Sequence, residues 1–339
     1  MGEWVNYRLG DIADVRWGDT GTTKAAYTAA GFPAYSASGR DGFLPTADYH
    51  QTGIVLSAIG AQCGRTWLAK GDWSCIKNTI RILASDPRVD IEYLYWYMQG
   101  NFSWPLRGSA QPFISQGDAQ DVVVVLPNIS YQRAIARLLG ALDDKIAVNE
   151  RIASTSDELI RQQYLQMVGD VEDSITLGEL GYLVRESVSA TDLRASDNYI
   201  ALEHMPRRNM WLAEWESAES VVSTKTRFID GDVLFGKLRP YFHKVGLALT
   251  EGVCSTDILV VRPVSNYLRG WLLASLSSDD VVAHASAVGD GTRMPRAKWS
   301  DLARYDVPWV GDDRASSFND FVTSISCQVA SILAENRTL

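Results

Sequence analysis

Cysteine is scarce and unpaired: four residues, Cys63, Cys75, Cys254 and Cys327, with no CxxC among them. That spacing gives neither a zinc ribbon nor a disulfide framework. Only four histidines are present (His50, His204, His243, His284), too far apart in sequence to suggest a metal or catalytic cluster. Positive charge is also short, with 32 Lys and Arg against 41 Asp and Glu, a net charge of −9. Nucleic-acid binding is therefore not a property of the whole chain. A local patch is still allowed, because charge is screened over about 10 Å at ordinary salt. No apolar run approaches a membrane span, and Met1-Gly2-Glu3-Trp4 does not begin like a signal peptide, so a cytoplasmic protein is expected. No Walker A loop occurs, nor the Asn/Asp-Pro-Pro-aromatic motif of an amino-methyltransferase, nor an Asp…Glu-x-Lys nuclease pattern. No catalytic residue, metal or cofactor is expected.

What the chain does have is a repeat. "RLGDIADV" (8–15) returns as "TLGELGYL" (176–183), and "GIVLSAIG" (53–60) as "GDVLFGKL" (231–238). Each half continues through a β-rich run, a helix-like stretch and a glycine-containing loop, then closes with an apolar helix. In the first closing helix, Ile135, Leu139, Leu142, Ile146 and Asn149 alternate spacings of four and three; Phe318, Val322, Ile325, Val329 and Ile332 do so in the second. A 3.5-residue period is a coiled-coil seam, in which Asn149 would fix register. Each helix could also pack on its own domain, but matching helices after matching halves favour mutual pairing. The first helix has no Gly or Pro from Ala141 to Val168. Running from about Ser130, it would be a rod of roughly 55–60 Å. The expected fold is α+β: two similar globules, each followed by a long helix, with the helices paired antiparallel as a spacer.

The order of these features resembles the specificity (S) subunit of type I restriction–modification systems, over essentially the whole chain. The resemblance rests on Leu9–Ile12 and Leu177–Leu180, "YSASGRDGF" (35–43), "GDVLFGKLRPYFHKVGLAL" (231–249), "STDILVVRP" (255–263) and "LPNISYQRAIARLLGALDDKIAVNERI" (126–152). It implies target recognition domains at 1–129 and 171–312, a spacer helix at 130–170 and a C-terminal helix at 313–339. It further implies that each domain reads one half of a bipartite double-stranded DNA site. The subunit itself is non-catalytic and recruits two methyltransferase (M) subunits and restriction (R) subunits. Two departures stand out: the chain is short for the family, and its second half lacks a counterpart of "YSASGRDGF". An orphan DNA-binding or regulatory relative, and a metal-dependent nuclease with an unrecognised site, are the alternatives.

Candidate DNA contacts follow from side-chain chemistry. In "FGKLRPYFHK", the Arg239 fork suits guanine O6 and N7, Lys237 and Lys244 suit phosphates, and Tyr241 and His243 suit either. Phe235 and Phe242 are expected in the core. The same composition also fits a strand, turn and strand with a solvated cationic face. "SASGRDG" offers Ser36, Ser38 and Arg40, or is a plain hairpin loop. "RGSAQPFISQ" (107–116) and "GDGTRMPRAK" (289–298) hold equivalent places: Gln111 suits adenine, Arg293 guanine, and Arg107, Arg296 and Lys298 phosphates. Plain surface loops would explain both. Lys77 and Asn78 are weaker candidates of the same kind. Trp67, Trp73, Trp96 and Trp104 read as core anchors.

Overall fold

A computed structural model describes residues 4–100, 102–287 and 295–339. The chain divides into two compact units, Met1–Asp144 and Lys145–Leu339. The division falls inside a single 40-residue helix, Ile129–Val168, which matches the rod expected from its lack of breakers.

Each unit is built on an antiparallel sheet flanked by helices. The strand order in the first is Ala13–Trp17, Thr79–Ala84, Gly53–Ser57, Thr66–Ala69. In the second it is Gly181–Leu183, Ile258–Pro263, Val233–Gly236, Val245–Ala248, with Trp211–Leu212 added in parallel at the edge. A second pairing joins the start and end of each unit: Val5–Arg8 with Val123–Leu126, and Ser174–Thr176 with Asp306–Pro308. One helical turn follows each start, Leu9–Ile12 and Leu177–Leu180, and both leucines are fully buried. The repeat is thus a repeated fold.

Its register differs by one residue from the alignment of 53–60 with 231–238. The Ala58 amide donates to the Asn78 carbonyl (3.0 Å) and the Ala58 carbonyl accepts from Ile114 (2.9 Å). In the second unit it is Lys237 that donates to Asp257 (2.8 Å) and accepts from Ala297 (2.9 Å). Ala58 therefore corresponds to Lys237, and Ile54 and Leu56 to Val233 and Phe235. This register alone sends equivalent residues to equivalent sides. Ile54, Leu56, Val233 and Phe235 enter the large helix-covered cores, while Val55 and Leu234 face the smaller cores behind the sheets. A one-residue slip would turn every side chain to the wrong face.

Behind the main sheet the units diverge. The first carries three strands, Gly39–Leu44, Phe32–Ser36 and Ser74–Cys75; the second carries five short ones between Ser187 and Cys254. The missing counterpart of "YSASGRDGF" is this difference.

The helices pair, but not along the whole expected seam. Gln132, 1% exposed, ties the start of the long helix to the first unit: its amide nitrogen donates to the carbonyls of Arg88 (3.0 Å) and Pro127 (2.8 Å). Ile135 packs against that unit's core; Leu139 and Leu142 are half-buried. Beyond Lys145 the long helix lies antiparallel to the closing helix, Asp312–Asn336. Asn149 is buried and donates to Asn336 Oδ1 (2.6 Å) and the Ile332 carbonyl (3.3 Å); toward the other end, Arg314 reaches the Met167 carbonyl (3.5 Å). The long helix contributes Ala153, Ile160 and Tyr164 to the shared core, in line with buried Asn149 and half-buried Ile146.

Phe318, Val322 and Val329 are buried in the same core, and Ile325 packs on it. They do not face the long helix alone. The Phe318 ring lies 5.5 Å from Trp271 and 6.3 Å from Tyr164, so the closing helix sits on its own globule and on the long helix together. Gly270 permits this: a Cβ there would meet Asn319 Cα at 3.0 Å and Val322 Cβ at 3.2 Å.

Candidate nucleic-acid interface

The strands Val233–Gly236 and Val245–Ala248 are joined by the basic and aromatic turn. Arg239 (φ 52°) and His243 (φ 52°) both occupy the left-handed region, bracketing a single 3₁₀ turn, Pro240–Phe242. Non-glycine residues pay about 1–2 kcal/mol each for that conformation, so surrounding bonds must hold it. They do. His243 donates to the Pro240 carbonyl (2.7 Å), Arg239 to Pro295 (2.9 Å), and the Arg208 amide to the His243 carbonyl (2.9 Å).

This geometry sorts the candidates. Phe235 is buried, as expected. Phe242 is not in the core: it is half-buried, with the Arg207 guanidinium 4.1 Å and the Arg239 guanidinium 6.0 Å from its ring centre. Tyr241, 53% exposed, leans edge-on against it at 4.8 Å. Arg239 and Lys237 are half-exposed and pair with no carboxylate among the described residues. Lys244 turns its ammonium onto the Leu202 carbonyl, and burial and Arg207 lower its pKa. His243 is 2% exposed with Nε2 on the Ser277 carbonyl (2.9 Å), which withdraws it from any ligand surface.

The loop before the last strand meets this turn. Leu238 bridges to Arg296, so the two segments singled out in the second half form one surface. Arg296 is exposed and paired with Asp257 (3.3 Å); Lys298 is exposed. Arg293 lies outside the described residues. Arg207 and Arg208 were missed by sequence reasoning, although "PRRNM" is a visible basic pair. The Arg208 side chain is held by Asp279 (2.9 Å), leaving Arg207 as the addition to the cationic face.

The first unit repeats the arrangement with different side chains. Ile59 bridges to Phe113, and Gly60, at φ 99°, donates to Pro112 (3.0 Å), so Gly60 holds the place of Arg239. Gln111 is exposed at the hairpin tip, whereas Arg107 is engaged by Asp118. Lys77 is exposed, and Asn78, at φ 72°, supplies the carbonyl that receives Ala58. Exposed Gln62 and Arg65 on the same loop were also missed.

The "SASGRDG" hairpin belongs to the second layer. Ser36 is 3% exposed, donates to Asp41 Oδ2 (2.6 Å) and accepts the Ser38 amide (3.1 Å), so it has no hydroxyl to offer. Ser38 and Arg40 are exposed.

Residues 1–155 match the family model described as "Type I restriction modification DNA specificity domain". The type I restriction enzyme EcoDI specificity subunit of Escherichia coli is 22% identical over 360 residues, covering 90% of this chain and 77% of that protein. The chain is similar to type I specificity subunits over most of its length, and the family model covers its first 155 residues. A second Escherichia coli relative, the EcoprrI specificity subunit, is 22% identical over 113 residues, 33% of this chain and 28% of its own length. Among solved structures, the type I S subunit from M. genitalium has the same fold, with a TM-score of 0.67 at 14% identity, over 99% of this chain and 94% of that one. The family description is of DNA specificity, and the cationic turn lies outside the residues it matches. Among the described residues no cluster of His, Cys, Asp and Glu has metal-holding geometry, and no helix is long and apolar enough to cross a membrane.

Proposed function

We propose that this chain is the sequence-reading, non-catalytic subunit of a type I restriction–modification complex, each unit reading one block of a bipartite DNA target. The exposed faces of the long and closing helices then receive two methyltransferase subunits, and through them restriction subunits. Cytoplasmic location follows from that role.

One observation carries this reading: the same pair of loops meets at the same place in both units, around Gly60 and Pro112 in one and Arg239 and Pro295 in the other. Recognition surfaces built alike but lined differently suit two different half-sites. In the second unit Arg239 reads a guanine, while Arg207, Lys237 and Lys298 hold phosphates. In the first, Gln111 reads an adenine, with Lys77, Arg65 and Arg40 as phosphate contacts.

The test is selection of random duplexes by the purified full chain with its methyltransferase partner. Enrichment of two defined blocks at fixed separation supports the reading; a single continuous block, or none, refutes it.

A further inference from the structure

Behind the recognition turn lies a buried polar path that DNA contact does not explain. The helix Arg269–Leu276 ends at Ser277, whose side chain and backbone are fully buried. Carbonyls at a helix C-terminus lack intrahelical partners and carry partial negative charge. Two donors from opposite sides converge on the Ser277 carbonyl: Arg161 Nη1 of the long helix at 2.8 Å and His243 Nε2 of the recognition turn at 2.9 Å. Arg161 is braced by Asp157, 5% exposed, through Nε to Oδ2 at 3.2 Å. A carbonyl only accepts, so Nε2 bears the hydrogen and Nδ1 of a neutral imidazole is left bare. Nδ1 stands 3.4 Å from Asp279 Oδ1, an oxygen already held by Arg208.

We infer that Arg161 is a positioning residue for sequence reading: through the shared Ser277 carbonyl and His243 it locks the turn that carries Arg239, and so ties the spacer helix to the reading surface. The left-handed backbone of Arg239 and His243 is what needs locking. Releasing Arg161 leaves the Ser277 carbonyl held by His243 alone, free to shift with it, and the turn relaxes toward less strained backbone. The guanidinium of Arg239 then loses its fixed aim. Phosphate contacts, made by flexible lysines, tolerate that loss; a two-point base contact does not. Anything that moves residues 157–161 of the long helix would alter base discrimination in the second unit only.

This inference rests on the DNA-reading function proposed above, and its test separates the two. Duplex selection with the wild-type complex comes first; if no sequence is enriched, the functional reading itself fails. Given an enriched site, three proteins are compared: wild type, Asp157→Asn, and Asp157→Asn with Arg161→Met. The double change removes the buried pair together, so no lone charge is left behind. Asp157→Asn should keep wild-type discrimination. The double variant should lose discrimination at one block by about tenfold or more, with the other block and the salt dependence of non-specific binding unchanged. Wild-type discrimination in the double variant overturns the inference. So does equal loss at both blocks, an equal loss from Asp157→Asn alone, or a double variant that fails to fold, because a general packing role would then suffice.

Discussion

Arg239 combines a left-handed backbone with the proposed base contact, and the two can be set against each other. Its backbone sits at φ 52°. Leaving the left-handed region is worth about 1–2 kcal/mol to a residue with a Cβ. Arg239→Ala keeps that strain and loses the guanidinium near Phe242, worth about 0.5 kcal/mol at an exposed site. Arg239→Gly loses the same contact but relieves the strain, offset by glycine's extra freedom in the unfolded chain, about 0.5–1 kcal/mol. The glycine variant should therefore be more stable than the alanine variant by about 0.5–1 kcal/mol, the opposite of their order at an ordinary strand position. The first unit already has Gly60 at the equivalent place, with φ 99°. Urea unfolding, with hydrogen exchange read on peptides from 225–263, measures the difference in the second unit. In DNA binding the two variants should be equally impaired, losing about 1–3 kcal/mol of discrimination at one base position. An alanine variant as stable as the glycine one would refute the strain argument. Uniform weakening across all sequences, with a salt slope smaller by about one, would make Arg239 a phosphate contact instead.

Asp232 is 1% exposed and receives a two-pronged bond from Arg262, Nε to Oδ1 and Nη2 to Oδ2, each 2.8 Å. Asp232→Ala should cost about 3 kcal/mol, read as a lower urea midpoint, since Arg262 loses its partner while remaining partly buried. Asn149→Ala should cost about 1 kcal/mol and speed hydrogen exchange at 332–336, where its amide bonds end. His243 is pushed below the ordinary imidazole range chiefly by burial, which the bond to the Ser277 carbonyl opposes, with Arg161 and Arg208 lowering it further and Asp279 raising it. The unfolded chain therefore binds the proton more readily. The resulting stability is present above about pH 6.5 and is lost as pH falls below it through the depressed folded value. A urea midpoint that falls from pH 7.5 to 5.5 should become flatter in His243→Gln; an unchanged slope would rule out this imidazole as the cause.

The periodic features of the chain were readable from sequence, and the contacts between distant segments were not. The long helix announced itself because nothing from Ala141 to Val168 breaks it, and Asn149 stood out as a polar residue in an apolar stripe. What covers that stripe was hidden: Ile135 enters the first core, whereas Ile160 and Tyr164, further along, meet Phe318 and Trp271. The repeat was visible, but matching Gly53 to Gly231 pulled its alignment one residue off the register set by the strand faces. At the site, charge and aromatics drew notice to 237–244 and 289–298, and the structure joins the described end of the second segment, 295–298, to the first. His243 and Ser36 were misjudged because their partners, Ser277 and Asp41, turn them inward. Arg207 was missed because it stacks on Phe242 from 35 positions away, and no local pattern encodes such a contact.

Two unlike reading surfaces on one chain, as proposed above, would direct a modifying complex to a split target. Mapping modified bases across the genome of the host, with and without this gene, tests it most directly. One motif should disappear with the gene, made of two specific blocks separated by a constant number of unspecified bases, and exchange of residues 237–243 should alter only one block. An unchanged modification map would contradict it, as would loss of a motif with a single uninterrupted block.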